Sequence, residues 1–130
     1  MVVAFSVYGK VLLGKRKCQP EYGKWDLPVG SMGLLVDLLQ ITNRILRRNA
    51  NVHITADGAL LLCKRDFTVA GEIHNIVCVQ GVVEAGRRPI ADGDFLDVRF
   101  FAKEEVPWPH VFSTATEILS EVGWTKPVPK

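Results

Sequence analysis

Apolar residues bunch along this chain in short runs, most with strand-like composition and one with a helical period. Val2 to Val7 is rich in β-branched and aromatic residues and predicts a strand. Tyr8-Gly9-Lys10 predicts a tight turn, and Val11 to Lys15 a second strand. Arg16 to Lys24 is polar, contains Pro20 and Gly23, and predicts a loop. Trp25 to Val29 predicts one short extended piece, with Pro28 suited to a strand end because it lacks an amide donor. After a turn at Gly30 to Gly33, Leu34, Leu38, Ile41 and Ile45 recur at i, i+4, i+7 and i+11, which predicts a helix over 34–49. Asn51 suits the left-handed conformation that ends a helix. Ala59 to Arg65 and Ile73 to Val83 predict buried strands, 86–93 a loop, and Phe95 to Ala102 a last strand. Thr114 and Glu117 have capping-box spacing, which predicts a closing helix over about 114–122. The order β-β-β-helix-β-β-β-helix predicts α/β architecture, a mixed sheet with helices on its faces. We expect a single domain over 1–123 and a loose tail over 124–130.

Composition narrows the class. At 130 residues and 14.4 kDa, one domain is expected. With 48% hydrophobic and 23% charged residues, the composition argues against disorder and for a soluble globular protein, and three cysteines with no CxxC pair point to a reducing, cytoplasmic compartment. No run approaches the roughly 18–20 apolar residues of a membrane span. The apolar start has neither a basic lead nor a cleavage pattern, so it does not read as a signal peptide. A net charge of +2 is too mild to imply nucleic acid by itself. Cys18, Cys63 and Cys78 are odd in number and form no CxxC pair, which points away from a disulfide scaffold. His74 and Cys78 share one face of a strand, and with Cys63 would make three metal ligands; buried free thiols are the plainer reading.

Gly9 to Arg16 nearly spells a phosphate-binding P-loop, but Arg16 stands where Ser or Thr should be, and the spacer is a strand. The more informative stretch joins Val11-Leu12-Leu13-Gly14-Lys15-Arg16 to Gly23-Lys24-Trp25-Asp26-Leu27-Pro28-Val29-Gly30. It resembles the Nudix (MutT-like) hydrolase family, in which a "VLLxxR" strand leads to "GxWxxPGG" and then to the box G-x5-E-x7-R-E-U-x-E-E-x-G-U, with U aliphatic. Without a gap, the box places its first glycine on Gly30, its arginine on Arg44 and its aliphatic positions on Leu46 and Val52. Phe95 to Pro107 resembles the late strand of the family and the turn after it. The resemblance runs over about 2–121 and implies an α/β/α Nudix sandwich on a mixed sheet.

The box itself is degenerate. Its glutamate positions hold Val36, Ile45, Arg48 and Asn49, its closing glycine is Asn51, and "PGG" is Pro28-Val29-Gly30. The resemblance implies hydrolysis of a diphosphate linked to another group, with Mg²⁺ or Mn²⁺ held by those glutamates. Magnesium requires oxygen ligands, usually carboxylates; Val36 and Ile45 offer none, and Arg48 repels a dication. Asp37 is the only acid from Leu34 to Asn49, and it lies about 100° around the helix from residue 36. The usual catalytic apparatus is therefore missing.

In its place Val36, Gln40, Arg44 and Arg48 lie along one helix side, with Arg47 adjacent. This is either a direct anion-binding surface or a solvated basic face favoured by the helix dipole. Arg16 either reaches a phosphate or is an exposed strand-end arginine. Trp25 stacks on a base or packs beside the sheet. His74 faces a ligand cleft or is a satisfied strand histidine. Asp92 and Asp94, with Asp97, form an acidic loop that serves as an out-of-box base or is simply solvated. Glu72 and Glu84 are the remaining stray ligand candidates. Three functions follow. The first is a non-catalytic module that binds a nucleotide or other phosphate-bearing ligand, or regulates, and needs no cofactor. The second is a pyrophosphohydrolase using Mg²⁺ or Mn²⁺ on Asp92, Asp94, Glu72 or Glu84. The third is an RNA or nucleoprotein binder using Arg16, Lys17, Arg44, Arg47 and Arg48, with Arg87-Arg88 as a second patch. A homodimer would fit a sheet edge needing cover.

Overall fold

The computed structural model describes residues 2–6, 10–30, 38–52, 60–69, 71–81 and 88–124. Its strands are β1 (Val2–Ser6), β2 (Lys10–Arg16), β3 (Trp25–Asp26), β4 (Val29–Gly30), β5 (Leu60–Val69), β6 (Glu72–Gly81) and β7 (Phe95–Ala102). The helices are α1 (Leu38–Ala50) and α2 (Ser113–Glu121), with single 3₁₀ turns at Lys103–Glu105 and Trp108–His110 before α2. The strands form two sheets. One is mixed, in the order β4-β1-β6-β5, with β1 parallel to β6 and the other pairs antiparallel. The other is antiparallel, in the order β3-β2-β7.

Strand alternation divides the core in two. On β2, Leu12 packs in one cluster with Ile41, Ile45 and Leu46 of α1, while Val11 and Leu13 pack in the other with Ala115, Ile118 and Leu119 of α2. On β6, Val77 and Val79 join the α1 side, and Ile76 and Cys78 the α2 side. Successive side chains of a strand point to opposite faces, so each of these strands feeds both halves. The result is an α/β/α sandwich, as expected.

Three local expectations change. The extended piece at 25–29 is two strands in different sheets, because Leu27 is fully buried and Pro28 cannot continue a ladder. The capping box does not form: the residue before α2 is Phe112, with no side-chain cap, and Thr114 is buried within the helix. Tertiary contacts set that start. Phe112 donates its N–H to the Trp25 carbonyl at 2.7 Å, and the Ser113 hydroxyl donates to Glu21 at 2.8 Å. Gly30 belongs to β4 rather than to a turn. Asn51 adopts the expected left-handed conformation, with φ of 52°. Residues 34–37, 53–59, 82–87 and 125–130 lie outside the described residues, so Val36, Asp37, Glu84 and Arg87 do too.

Candidate functional site

The ends of β2 and β3 meet at a part-buried ion pair. Arg16 Nη1 donates to Asp26 Oδ2 at 2.7 Å, and Arg16 Nε donates to the Pro20 carbonyl at 2.9 Å. The guanidinium also lies 4.2 Å from the centre of the Phe112 ring, a cation–π contact. Arg16 is therefore not the exposed strand-end arginine that the sequence allowed; its side chain is 16% exposed, and its Nε and Nη1 groups are engaged. Asp26 accepts a further bond from the Leu27 N–H at 2.8 Å. Burial pushes the Asp26 carboxyl up to about 6, and the charge of Arg16 offsets only part of that rise.

This pair borders a cleft of about 390 Å³. Arg16 and Asp26 contribute from the β2–β3 side, Glu72, His74 and Ile76 from β6, and Phe112, Thr114 and Ile118 from α2 and the residue before it. Cys18, Pro20, Val29, Asn49, Asp94 and Phe95 complete the described lining. Four expected site residues, Arg16, Glu72, His74 and Asp94, thus share one cavity. His74 lies 3.6 Å from Glu72. Trp25 is not among the described lining residues. Its ring packs edge-on to Phe101, with centroids 5.0 Å apart. Asp92 accepts the Gly93 N–H on its own side chain at 2.8 Å and also lies outside the described lining. Asp26, Phe95, Phe112 and Thr114 were not anticipated here. Asp26 within Trp25-Asp26-Leu27-Pro28, a lone acid among residues that bury, was the available signal.

Helix α1 supplies a second region. Its sequence, LLQITNRILRRNA, contains no carboxylate. Arg44 and Arg48, one turn apart and both exposed, border a cleft of about 300 Å³ with Val29, Gly30, Ile45, Asn49 and Asp94. Val29, Asn49 and Asp94 also line the larger cleft, so the two adjoin. With Gln40, Asn43 and Arg47, the same two arginines line an open groove of about 560 Å³.

Two of the positions on which the box would fall, Ile45 and Asn49, are built into the fold. Ile45 is 3% exposed and lies so close to β4 that a Cβ on Gly30 would fall 2.6 Å from its Cγ1. Asn49 is 2% exposed; its Nδ2 donates to the Ile45 carbonyl at 3.0 Å, and its Oδ1 accepts the Asp94 N–H at 3.1 Å. The Asn49 carbonyl accepts the Asp92 N–H at 3.0 Å. Asn49 thus pins the 92–94 loop to the end of α1 using both a donor and an acceptor. These residues do not fit a divalent cation. Ile45 has no donor atom, Arg48 is cationic, and the Asn49 oxygen is already bonded to a backbone amide. Among the described residues, no group of three or more His, Cys, Asp or Glu could hold a metal. Cys78 is buried in the α2-side core, and the side chain of Cys63 lies outside what is described. No described helix is long and apolar enough to cross a membrane.

No protein-family model matches the chain, and no curated protein matches it in sequence. Solved structures do. A MutT Nudix hydrolase from Burkholderia pseudomallei is 26% identical, with a TM-score of 0.72 over 93% of this chain and 95% of that one. A Nudix hydrolase from Nitrosomonas europaea is 24% identical, with a TM-score of 0.67 over 91% of this chain; the match spans 65% of that longer protein. The Nudix domain of Shewanella oneidensis NrtR, solved with ADP ribose, is 20% identical, with a TM-score of 0.70 over 92% of this chain and 81% of that one. The chain carries the fold of these Nudix and MutT-like hydrolases.

Proposed function

We propose that this chain is a non-catalytic Nudix-fold module that binds a nucleotide or another phosphate-bearing ligand. The observation that carries the reading is the state of α1. Where the box would place metal-binding glutamates, Ile45 is core, Asn49 is a loop staple, and Arg48 presents a cation. Hydrolysis of the family type needs a metal to neutralise the diphosphate and activate water. This surface favours the diphosphate anion itself.

The adjoining clefts suit a ligand with two unlike ends. The larger one has Phe95, Phe112 and Ile118 among its walls, with Asp26 and His74 as polar groups for a ring system. The smaller one carries Arg44 and Arg48, whose planar guanidinium groups suit phosphate oxygens. The NrtR domain, solved with ADP ribose, supports a ligand of this class.

The test pairs turnover with binding. The purified protein is incubated with dNTPs, ADP-ribose, dinucleoside polyphosphates and capped RNA, with and without Mg²⁺ or Mn²⁺, and products are followed by chromatography. The same panel is titrated for binding. Binding without metal-dependent products is the expected result. Metal-dependent turnover that is lost on changing Glu72 or Asp94, which border the larger cleft, would overturn it in favour of relocated carboxylates.

A further inference from the structure

We infer that α1 captures its ligand's phosphates in the metal-free form, so that Mg²⁺ competes with the protein for the ligand instead of bridging the two. This rests on the phosphate-ligand reading above and adds the charge state of the ligand and the sign of the metal effect. Arg44, Arg47 and Arg48 put a formal charge of +3 on the described lining of the 560 Å³ groove. Arg44 and Arg48 against Asp94 leave +1 on the described lining of the 300 Å³ cleft. The C-terminus of α1 opposes an anion with a partial charge of roughly −0.5, smaller than the guanidinium charge along the groove. Asp94 does not reverse the balance, and its backbone N–H is already held by Asn49.

A chelated dication changes this encounter twice. It cancels the phosphate charge that the guanidinium groups would bond, and it brings its own positive charge toward Arg48. On a helix with carboxylates the same ion would be an attractive bridge. On α1, which has none over 38–50, it is a repulsive one. Free and chelated ligand should therefore bind with different affinity, in the order opposite to that of a metal-bridged site.

The experiment is calorimetric titration of the full chain with inorganic pyrophosphate and, separately, ADP. Each is run in EDTA and in MgCl₂ in excess of the ligand, with ionic strength matched because guanidinium–phosphate attraction is screened by salt. Binding is expected to weaken about tenfold in Mg²⁺, the loss of about one charge-assisted hydrogen bond. Arg48→Gln, at an exposed position, should weaken binding in EDTA by about the same factor and shrink the Mg²⁺ effect. Equal or tighter binding in Mg²⁺ would overturn the inference while leaving the phosphate-ligand reading standing. Failure of both probes to bind in either buffer would remove both.

Discussion

Asn49 gives the sharpest test of how α1 is built. Asn49→Asp replaces an amide with a carboxylate of nearly the same shape at a position where the family box would hold an acid. The new side chain still accepts the Asp94 N–H, but an ionised carboxylate cannot donate to the Ile45 carbonyl 3.0 Å away. A lost donor at a site 2% exposed leaves two oxygens facing each other, at a cost of about 1–3 kcal/mol. A negative charge in the last turn of a helix adds about 0.3–1 kcal/mol. The expected loss at pH 7 is about 3 kcal/mol, or roughly 10 °C of melting temperature for a chain of this length. The sign with pH is also fixed. Protonation restores a donor, so the folded state raises the pKa of the introduced acid. The variant should approach the wild type at low pH and lose stability as pH rises through that value. Urea unfolding of both proteins at pH 7 and at about pH 4 measures it. A difference below about 0.5 kcal/mol at pH 7, or one that fails to shrink in acid, would refute the assignment of Asn49 as a two-sided staple.

Gly14→Ala should cost about 1–3 kcal/mol by thermal unfolding, because the added Cβ would sit 2.1–2.3 Å from atoms of the buried Phe95 ring; Gly14→Ala with Phe95→Leu should recover part of the loss. Asp26 should also leave a mark on the pH profile of stability. Its carboxyl is raised from 3.8 to about 6 by burial, so the folded protein holds this proton more tightly than the unfolded chain. Its contribution is therefore full below about pH 4 and lost as pH rises through about 6, up to about 3 kcal/mol in all. Asp26→Asn lacks this step, so its stability relative to wild type should improve between pH 4 and pH 7; a constant offset would contradict the raised value.

The parts of the fold that were legible in the sequence follow from local periodicity. The apolar run of β2 and the period of α1 needed only neighbouring residues to be read, and Asn51 needed only its own backbone preference. The parts that were not legible depend on distant partners. Nothing near Thr114 indicates that α2 begins at Ser113, because Phe112 is tied to Trp25 and Ser113 to Glu21 across the fold. Pro28 marks a strand end, but only the pairing partners show that its two sides enter different sheets. The site divides in the same way. The basic side of α1 was visible from spacing alone, whereas the engagement of Arg16 required knowing that Asp26 and Phe112 surround it. Glu72, His74 and Asp94 were each visible as residues, but only the folding of β6 against the 92–94 loop and α2 gives them one cavity.

The α1 positions differ in how far they have been taken over by the fold. Arg48 is exposed, so returning a carboxylate there alters charge and little else. Ile45 is different: it fills the space beside Gly30, and a charged side chain there would have to be buried without a partner, at a cost of several kcal/mol. Asn49 lies between these cases, since its shape suits an acid but its hydrogen bonds do not. The fold itself does not depend on the missing carboxylates. Among the described residues, the sandwich is closed by apolar packing of α1 and α2 on opposite faces. A sandwich of this kind therefore stands on a helix that carries arginines and no carboxylate over 38–50. Because Ile45 and Asn49 carry structural contacts, a single substitution does not place a set of carboxylates on this helix.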